Sequence, residues 1–362
     1  MNKLQTWVEK NWYAATPSGL KLLAPLEKLY LKLFNKNQQA YLSGKKQAVH
    51  PGVPVIVVGN IHVGGSGKSP LVAALAKHFK KLGYQPGIVS RGYGGKAKSY
   101  PQRVTTYSDP KEVGDEPLML AQQTNLPVAV DPNRLAAAEL LIKEEGCDLI
   151  IADDGLQHLK LARDIEIVVV DSARGFGNQH CLPVGPLREP INRLVSVDWL
   201  VLQGLKPEQA LPQQIAALIP VLKNAPQGYQ LEFTGWRRGD GHWQKDCPFK
   251  EGEAVNALAG IGNPQRFFNQ LGELGLKVTG HSLADHAQLS EQHLKFSKKN
   301  PLVITAKDAV KLQQWLTNQH WVAEVTAELP ETFLCKLQEQ VADAYKKQVN
   351  LNRSTQKSTH KK

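Results

Sequence analysis

A short apolar run at 55–58 breaks into His62-Val63-Gly64-Gly65-Ser66-Gly67-Lys68-Ser69, and apolar residues then recur at Leu71, Val72, Leu75, Ala76 and Phe79 with helical spacing. Strand, glycine loop, Gly-Lys-Ser and helix in immediate succession make the setting of a phosphate-binding loop. The glycines let the backbone curl until its N–H groups face phosphate oxygens, and the helix N-terminus adds partial positive charge. Lys68 is then placed for the β- and γ-phosphates, and Ser69 for Mg²⁺. The nucleotide-binding set read from this loop is His62, Val63, Gly64, Gly65, Ser66, Gly67, Lys68 and Ser69. The usual pattern begins with glycine; here His62 stands first, and Gly59, Gly64 and Gly65 are left to supply the bend.

A length of 362 residues predicts about two domains, and 42% hydrophobic residues suffice for their cores. The four cysteines, Cys147, Cys181, Cys247 and Cys335, are widely spaced, which argues against a zinc site and a disulfide framework and fits a reducing compartment. No apolar run reaches the ~18 residues of a membrane span, and the first residues lack the basic-then-apolar order of a secretory signal. The net charge of +11 is concentrated at the ends: +6 in residues 1–50 and +4 in the last twelve. A nucleic-acid enzyme spreads basic charge through its domains; terminal charge points instead to an anionic surface, with a membrane as one candidate.

Leu22, Leu26, Leu29 and Leu33 share a helical face, with Lys21, Lys28, Lys32 and Lys36 roughly opposite, and Trp7, Trp12 and Tyr13 precede them. Such a helix suits a bilayer surface, and equally a docked helix with its lysines in water. Pro25 either kinks it or lies in its first turn.

The chain then alternates strands and helices, which predicts a parallel sheet. Arg91 and Tyr93 follow a strand at 87–90, at the sheet edge where ligands of open α/β sheets bind. Asp115 and Glu116 stand at a helix start, where acids favour the helix dipole and also suit a general base and a metal ligand. Arg134 follows the strand at 127–130. Leu149-Ile150-Ile151-Ala152-Asp153 is the apolar run with a terminal acid that holds Mg²⁺ opposite a phosphate loop, and Asp154, Gln157 and His158 follow it. The run at 165–170 with Asp171 fits the same pattern, but Asp153 leads into the richer polar cluster. Arg188 and Glu189 close a loop rich in glycine and proline. Two segments, 228–236 and 242–249, predict a hairpin, and a second α/β block without a glycine loop follows, with Asp285 and His286 in one of its loops.

Gly59-Asn60-Ile61-His62-Val63-Gly64-Gly65-Ser66-Gly67-Lys68-Ser69-Pro70, Ser90-Arg91-Gly92-Tyr93-Gly94, Gly114-Asp115-Glu116-Pro117, Asp153-Asp154-Gly155-Leu156-Gln157-His158, Leu182-Pro183-Val184-Gly185-Pro186-Leu187-Arg188-Glu189 and Asp285-His286 occur in this order. The series resembles the tetraacyldisaccharide 4′-kinases over roughly residues 15–330. The resemblance implies transfer of the ATP γ-phosphoryl group to the 4′-hydroxyl of an acylated glucosamine disaccharide 1-phosphate, with ATP and Mg²⁺ as cofactors. It implies peripheral attachment to the cytoplasmic face of the bacterial inner membrane, with no nucleic acid and no obligate protein partner.

The implied fold is a P-loop α/β/α sandwich with a second, smaller α/β domain joined by a two-stranded β-ribbon. On this sequence that reads as a basic amphipathic segment at 1–50, a kinase domain at 51–227, a ribbon at 228–250, the second domain at 251–330, a helix at 331–348 and a disordered basic tail at 349–362. The implied site assigns Asp115 as base with His286 beside it and Asp285 behind, Lys68 on the phosphates, and Ser69, Asp153, Glu116 and Gln157 at the metal. Arg91, Tyr93, Arg134, His158 and Arg188 would meet the lipid's phosphate and sugars. One departure is that Leu283-Ala284-Asp285-His286-Ala287 stands where the family reads Phe-Pro-Asp-His-His.

A P-loop switch NTPase on a membrane is the rival. A GTPase carries Asn/Thr-Lys-x-Asp, whereas Thr305-Ala306-Lys307-Asp308 has its lysine one place late, and a partitioning ATPase has a lysine where Val63 stands. A soluble kinase for a small sugar or nucleotide leaves the amphipathic helix unexplained.

Overall fold

The computed structural model describes residues 3–14, 19–206, 208–285 and 287–359. Helix α1 (Lys3–Trp12) and a 3-10 turn (Leu20–Leu23) lead into α2 (Ala24–Leu42). Pro25 lies in the first turn of α2, where its missing N–H has no helical partner to lose. The helix is docked: the Tyr30 hydroxyl donates to the Arg188 carbonyl at 2.6 Å and the Cys181 N–H to the Glu27 carboxylate at 2.7 Å. Leu22, Leu26, Leu29 and Leu33 nevertheless stay 52–89% exposed. Among the described residues no helix is long and apolar enough to cross a membrane.

The first half alternates β1 (Val55–Gly59), α3 (Lys68–Lys81), β2 (Pro86–Ser90), β3 (Gln102–Val104), α4 (Pro110–Val113), α5 (Asp115–Thr124), β4 (Val128–Val130), α6 (Arg134–Glu145), β5 (Leu149–Asp153), β6 (Ile165–Asp171) and β7 (Trp199–Gln203). A short helix α7 (Gln213–Ala216) leads to the twelve-residue β8 (Gln227–Arg238) and to β9 (Trp243–Gln244). The second half holds β10 (Ala254–Ala259), α8 (Pro264–Glu273), β11 (Lys277–Ser282), β12 (Leu302–Thr305), α9 (Ala306–Leu312) and β13 (His320–Glu328), before α10 (Glu331–Thr359).

All the strands join one sheet, in the order β11-β10-β12-β13-β8-β7-β6-β1-β5-β2-β4-β3, with β9 on β8. From β7 to β4 the neighbours are parallel and fully buried, which is why these strands read as unbroken apolar runs rather than alternations. Helices α3 and α5 cover one face and α6 the other. The last helix α10 returns to the first face through Phe333, Leu337 and Val341, and Trp199 donates to Gln340 at 2.7 Å.

Two features differ from the sequence expectation. Strand β8 begins parallel to β7 and continues antiparallel to β13 from Gln230 to Arg238, so one strand serves both halves. The expected hairpin partner shrinks to the two residues of β9, because Pro248 and the polar run before it cannot extend the ladder, while β13 offers nine residues. The tail expected to be disordered from 349 instead continues α10 to Thr359: no glycine or proline interrupts the sequence after Glu331.

Candidate active site

The loop after β1 bends through Gly64 (φ 102°) and Gly67 (φ 79°), a backbone region that side chains disfavour. Gly67 is further pinned by the buried Tyr229 of β8, whose hydroxyl donates to its carbonyl at 2.9 Å. Asn60 braces the loop from inside, donating to the Gly64 carbonyl and to Ser66 Oγ, each at 3.1 Å. The second half reaches this loop directly. A Cβ on Gly65 would lie 3.2 Å from the Gly262 backbone, and Arg174 holds the Gly262 carbonyl at 2.6 Å.

Two hollows meet at the loop. The inner cavity lies between the halves and is lined by Gly65 to Pro70, Met119, Leu231, Phe267, Val325 and Lys307 among others. The outer cleft, about 780 Å³, carries Arg91, Tyr93, Arg134, Gln157, His158 and Arg188, with Glu9 and Tyr30 of the N-terminal helices at its rim. Gly65, Lys68, Glu116 and Asp285 line both.

The charges are arranged in opposed sets. Lys68 Nζ lies 3.5 Å from Asp154, which Arg188 grips with two N–H groups at 3.0 and 3.2 Å. Burial works against the Asp154 carboxylate, but Lys68 and Arg188 prevail and hold its pKa below the usual range. Asp153 is fully buried beside Ser69 (Oγ to Oδ2 3.4 Å), and its Oδ1 has no partner. Burial first and Glu116 second push its pKa up to about 7. In the cleft, burial and then the Arg91 charge lower Arg134 to about 10, and burial with Arg134 lowers His158 to about 4, leaving a neutral imidazole. Arg134 Nε and His158 Nε2 are buried and without hydrogen-bond partners, beside the crowded positive charge of the cleft.

Three comparisons bear on what this arrangement belongs to. The family described as tetraacyldisaccharide-1-P 4′-kinase matches residues 20–342. The chain belongs to that family. A tetraacyldisaccharide 4′-kinase from Pseudomonas putida (strain GB-1) is 43% identical over 322 residues, spanning 89% of this chain and 92% of the relative. That of Pseudomonas syringae pv. tomato is 42% identical over 330 residues, spanning 91% and 96%. Among solved structures, LpxK from Aquifex aeolicus, described as in complex with ATP, superposes with a TM-score of 0.71 at 27% identity, covering 90% of this chain and 99% of that one. The expected P-loop α/β architecture and the kinase class therefore stand.

Within this kinase the five side chains expected to meet the lipid, Arg91, Tyr93, Arg134, His158 and Arg188, all line the one outer cleft. The nucleotide set divides. Gly65 to Ser69 line the inner cavity, Val63 and Gly64 line the cleft, and the His62 ring lines neither. His62 is 2% exposed, pairs its backbone with Leu187, and its ring hydrogen-bonds only through Nδ1, which donates to the Val63 carbonyl at 3.3 Å. Burial and the nearby Lys68 charge lower its pKa to about 4. His62 therefore ties the loop to the Leu187 segment with a neutral ring.

For a magnesium ion, Ser69 and Asp153 are adjacent, Asp153 has an orphaned buried oxygen, and Glu116 faces the same cavity. These hard oxygen donors fit the ion. Among the described residues no three His, Cys, Asp or Glu side chains cluster as a ready ligand set. Gln157 is turned elsewhere, its amide N–H groups donating to the Asn60 carbonyl at 3.1 Å and to the Glu189 carboxylate at 2.5 Å. Asp115 lies behind Glu116, 7% exposed, with Lys311 at 3.3 Å, and lines neither hollow. His286 lies outside the described residues.

Sequence reasoning missed the second half's cations. Lys307 Nζ contacts Glu116 at 2.7 Å and Asp285 at 2.8 Å. Burial opposes its charge, but Glu116, Asp285 and Asp115 more than offset that and raise its pKa. The sequence carries a signal for it: Thr305-Ala306-Lys307-Asp308 fails as a guanine motif but directly follows a strand end at the ligand-binding edge. Asp171, the other candidate acid, turns out to join the halves, accepting from Arg266 at 3.0 Å.

Proposed function

We propose that this kinase transfers the γ-phosphoryl group of ATP to the 4′-hydroxyl of a tetraacylated glucosamine disaccharide 1-phosphate, a step of lipid A biosynthesis. One observation carries the reading: the inner cavity and the basic outer cleft share Gly65, Lys68, Glu116 and Asp285, so a triphosphate in one abuts an acceptor in the other. ATP enters the inner cavity with its phosphates on the loop amides and Lys68. The disaccharide enters the cleft, its 1-phosphate among the guanidinium groups of Arg91, Arg134 and Arg188.

Phosphoryl transfer depends on positioning and charge neutralisation more than on covalent catalysis. Lys68 and the loop N–H groups draw charge from the phosphates. Ser69, Asp153 and Glu116 would hold Mg²⁺, directly or through water, and the ion would supply positive charge against that building on the phosphates. Asp115 takes the proton of the attacking 4′-hydroxyl, with His286 and Asp285 of the second half orienting that transfer. The new bond joins the γ-phosphorus to the sugar oxygen, the bond to the β-phosphate oxygen breaks, and ADP leaves. The buried position of Asp115 requires the halves to shift for the hydroxyl to reach it. Incubation of the protein with ATP and the acylated disaccharide 1-phosphate is expected to add the mass of one phosphate to the lipid; absence of that gain sinks the reading.

We also infer that the chain sits peripherally on the cytoplasmic face of the bacterial inner membrane. Leu22 of the 3-10 turn and Leu26, Leu29 and Leu33 of the docked α2 stay exposed, Tyr30 of the same helix lines the cleft, and lysines of this segment are available to anionic headgroups. Replacing Leu26 and Leu33 by Glu is expected to abolish co-sedimentation with anionic vesicles while shifting the melting temperature little, since both side chains are more than half exposed. Retained vesicle binding would refute this mode of attachment.

A further inference from the structure

We propose that Lys307 is the group through which the second half recognises the terminal phosphate of the bound nucleotide, exchanging its Glu116 contact for a γ-phosphate oxygen. The proposal rests on the nucleotide reading above.

Lys307, at the start of α9, lines the inner cavity together with Lys68 and Ser69. Its side chain is 11% exposed, so the ammonium has little water to fall back on. Two of its partners, Glu116 and Asp285, also line that cavity and come from opposite halves of the chain. A cation held between two carboxylates at the mouth of a phosphate loop occupies a place that becomes over-supplied with positive charge once Glu116 turns to a magnesium ion. The phosphoryl oxygens are then the nearest uncompensated acceptors.

The local architecture makes Lys307 move with the loop that touches the P-loop. Asp308, fully buried, accepts from the Gly260 N–H at 2.7 Å and from Thr305 Oγ1 at 2.7 Å. The Gly260-Ile261-Gly262 segment and the start of α9 are therefore one braced unit. Gly262 of that unit packs backbone to backbone on Gly65: a Cβ on Gly262 would lie 2.8 Å from the Gly65 Cα. Any approach of the second half to the phosphate loop carries Lys307 with it, which is the geometry of a cation delivered in cis to a transferring phosphate. A lysine serves because a single rotatable point charge can leave one carboxylate for a phosphate oxygen without a bidentate register.

The test compares ATP, as a non-hydrolysable analogue, with ADP, each with Mg²⁺, by calorimetric titration. Lys307→Met is expected to weaken the ATP analogue by about tenfold and ADP by less than twofold, the size of one charge-assisted hydrogen bond. Lys307→Arg is expected to recover part of the loss. Equal weakening of both nucleotides, or of neither, overturns the proposal. Lys68→Met separates the two levels of inference: it is expected to weaken both nucleotides strongly, and if it weakens neither, the nucleotide reading of the cavity is what fails. Should Lys307→Met not fold, the wild-type protein answers by reductive methylation followed by peptide mass analysis. Lys307 is expected to be protected more by the ATP analogue than by ADP, and equal protection overturns the assignment.

Discussion

Asp115→Asn is expected to lower turnover by about a thousandfold while ATP affinity changes by no more than a few-fold, the range typical for loss of a general base. The substitution keeps shape and hydrogen-bonding reach at the start of α5 but removes the site that accepts the hydroxyl proton. Lys311, which loses an ionic partner 3.3 Å away, keeps Asp308 at 3.4 Å and the Ala287 carbonyl at 3.3 Å. No uncompensated buried cation is created, so the fold should hold. Asp115 lines neither hollow, so nucleotide binding should be spared. Steady-state kinetics with a parallel ATP titration decide it. Near-normal turnover would remove Asp115 from the role of base and return the acids of the Gly114-Asp115-Glu116 turn to helix capping and metal binding.

Gly67→Ala is expected to cost about 2–3 kcal/mol of unfolding free energy and to weaken ATP at least tenfold. Two effects combine. At φ 79° an L side chain is strained by about 1–2 kcal/mol. The new methyl would also lie 2.7 Å from Gln203 Cδ and 2.9 Å from the Tyr229 hydroxyl, the group that fixes the loop carbonyl. Gly83→Ala, at φ 94° with nothing within 4 Å of its Cβ, carries the strain without the contact. It should cost about 1–2 kcal/mol and leave ATP affinity unchanged. Denaturant unfolding and nucleotide titration of both variants separate strain from displacement of the phosphate loop, and equal behaviour of the two would refute the role given to Tyr229.

Much of the fold was legible because the central strands are buried on both faces. That burial demands unbroken apolar runs, and runs such as 55–58 and 149–152 announce themselves in sequence. The polar, basic composition after residue 349 signals disorder, whereas nothing in it forbids helix, and α10 runs to Thr359. From sequence, strand β8 reads as half of a local hairpin, because pairing with a strand some ninety residues later leaves no local trace. The cleft residues were found through short motifs at strand ends. Lys307 and Arg266 were not, because a lysine or arginine in a helix reads as solvated surface until the sheet folds it against an acid from the other half.

The amino-acid sequence by itself determined the phosphate loop, the parallel sheet behind it, the family, and which polar side chains are candidates. These follow from local rules: glycine's access to positive φ, the apolar run of a buried strand, and a lysine and a serine at a helix start. Only the tertiary structure decided that β8 is shared, that Asp171 and Lys307 bridge the halves, that the His62 ring is buried away from both hollows, and that the leucine stripe of a docked helix remains exposed. Each depends on which surfaces distant segments present to one another. Ion pairs and burial are set by three-dimensional proximity, and sequence separation carries no information about it.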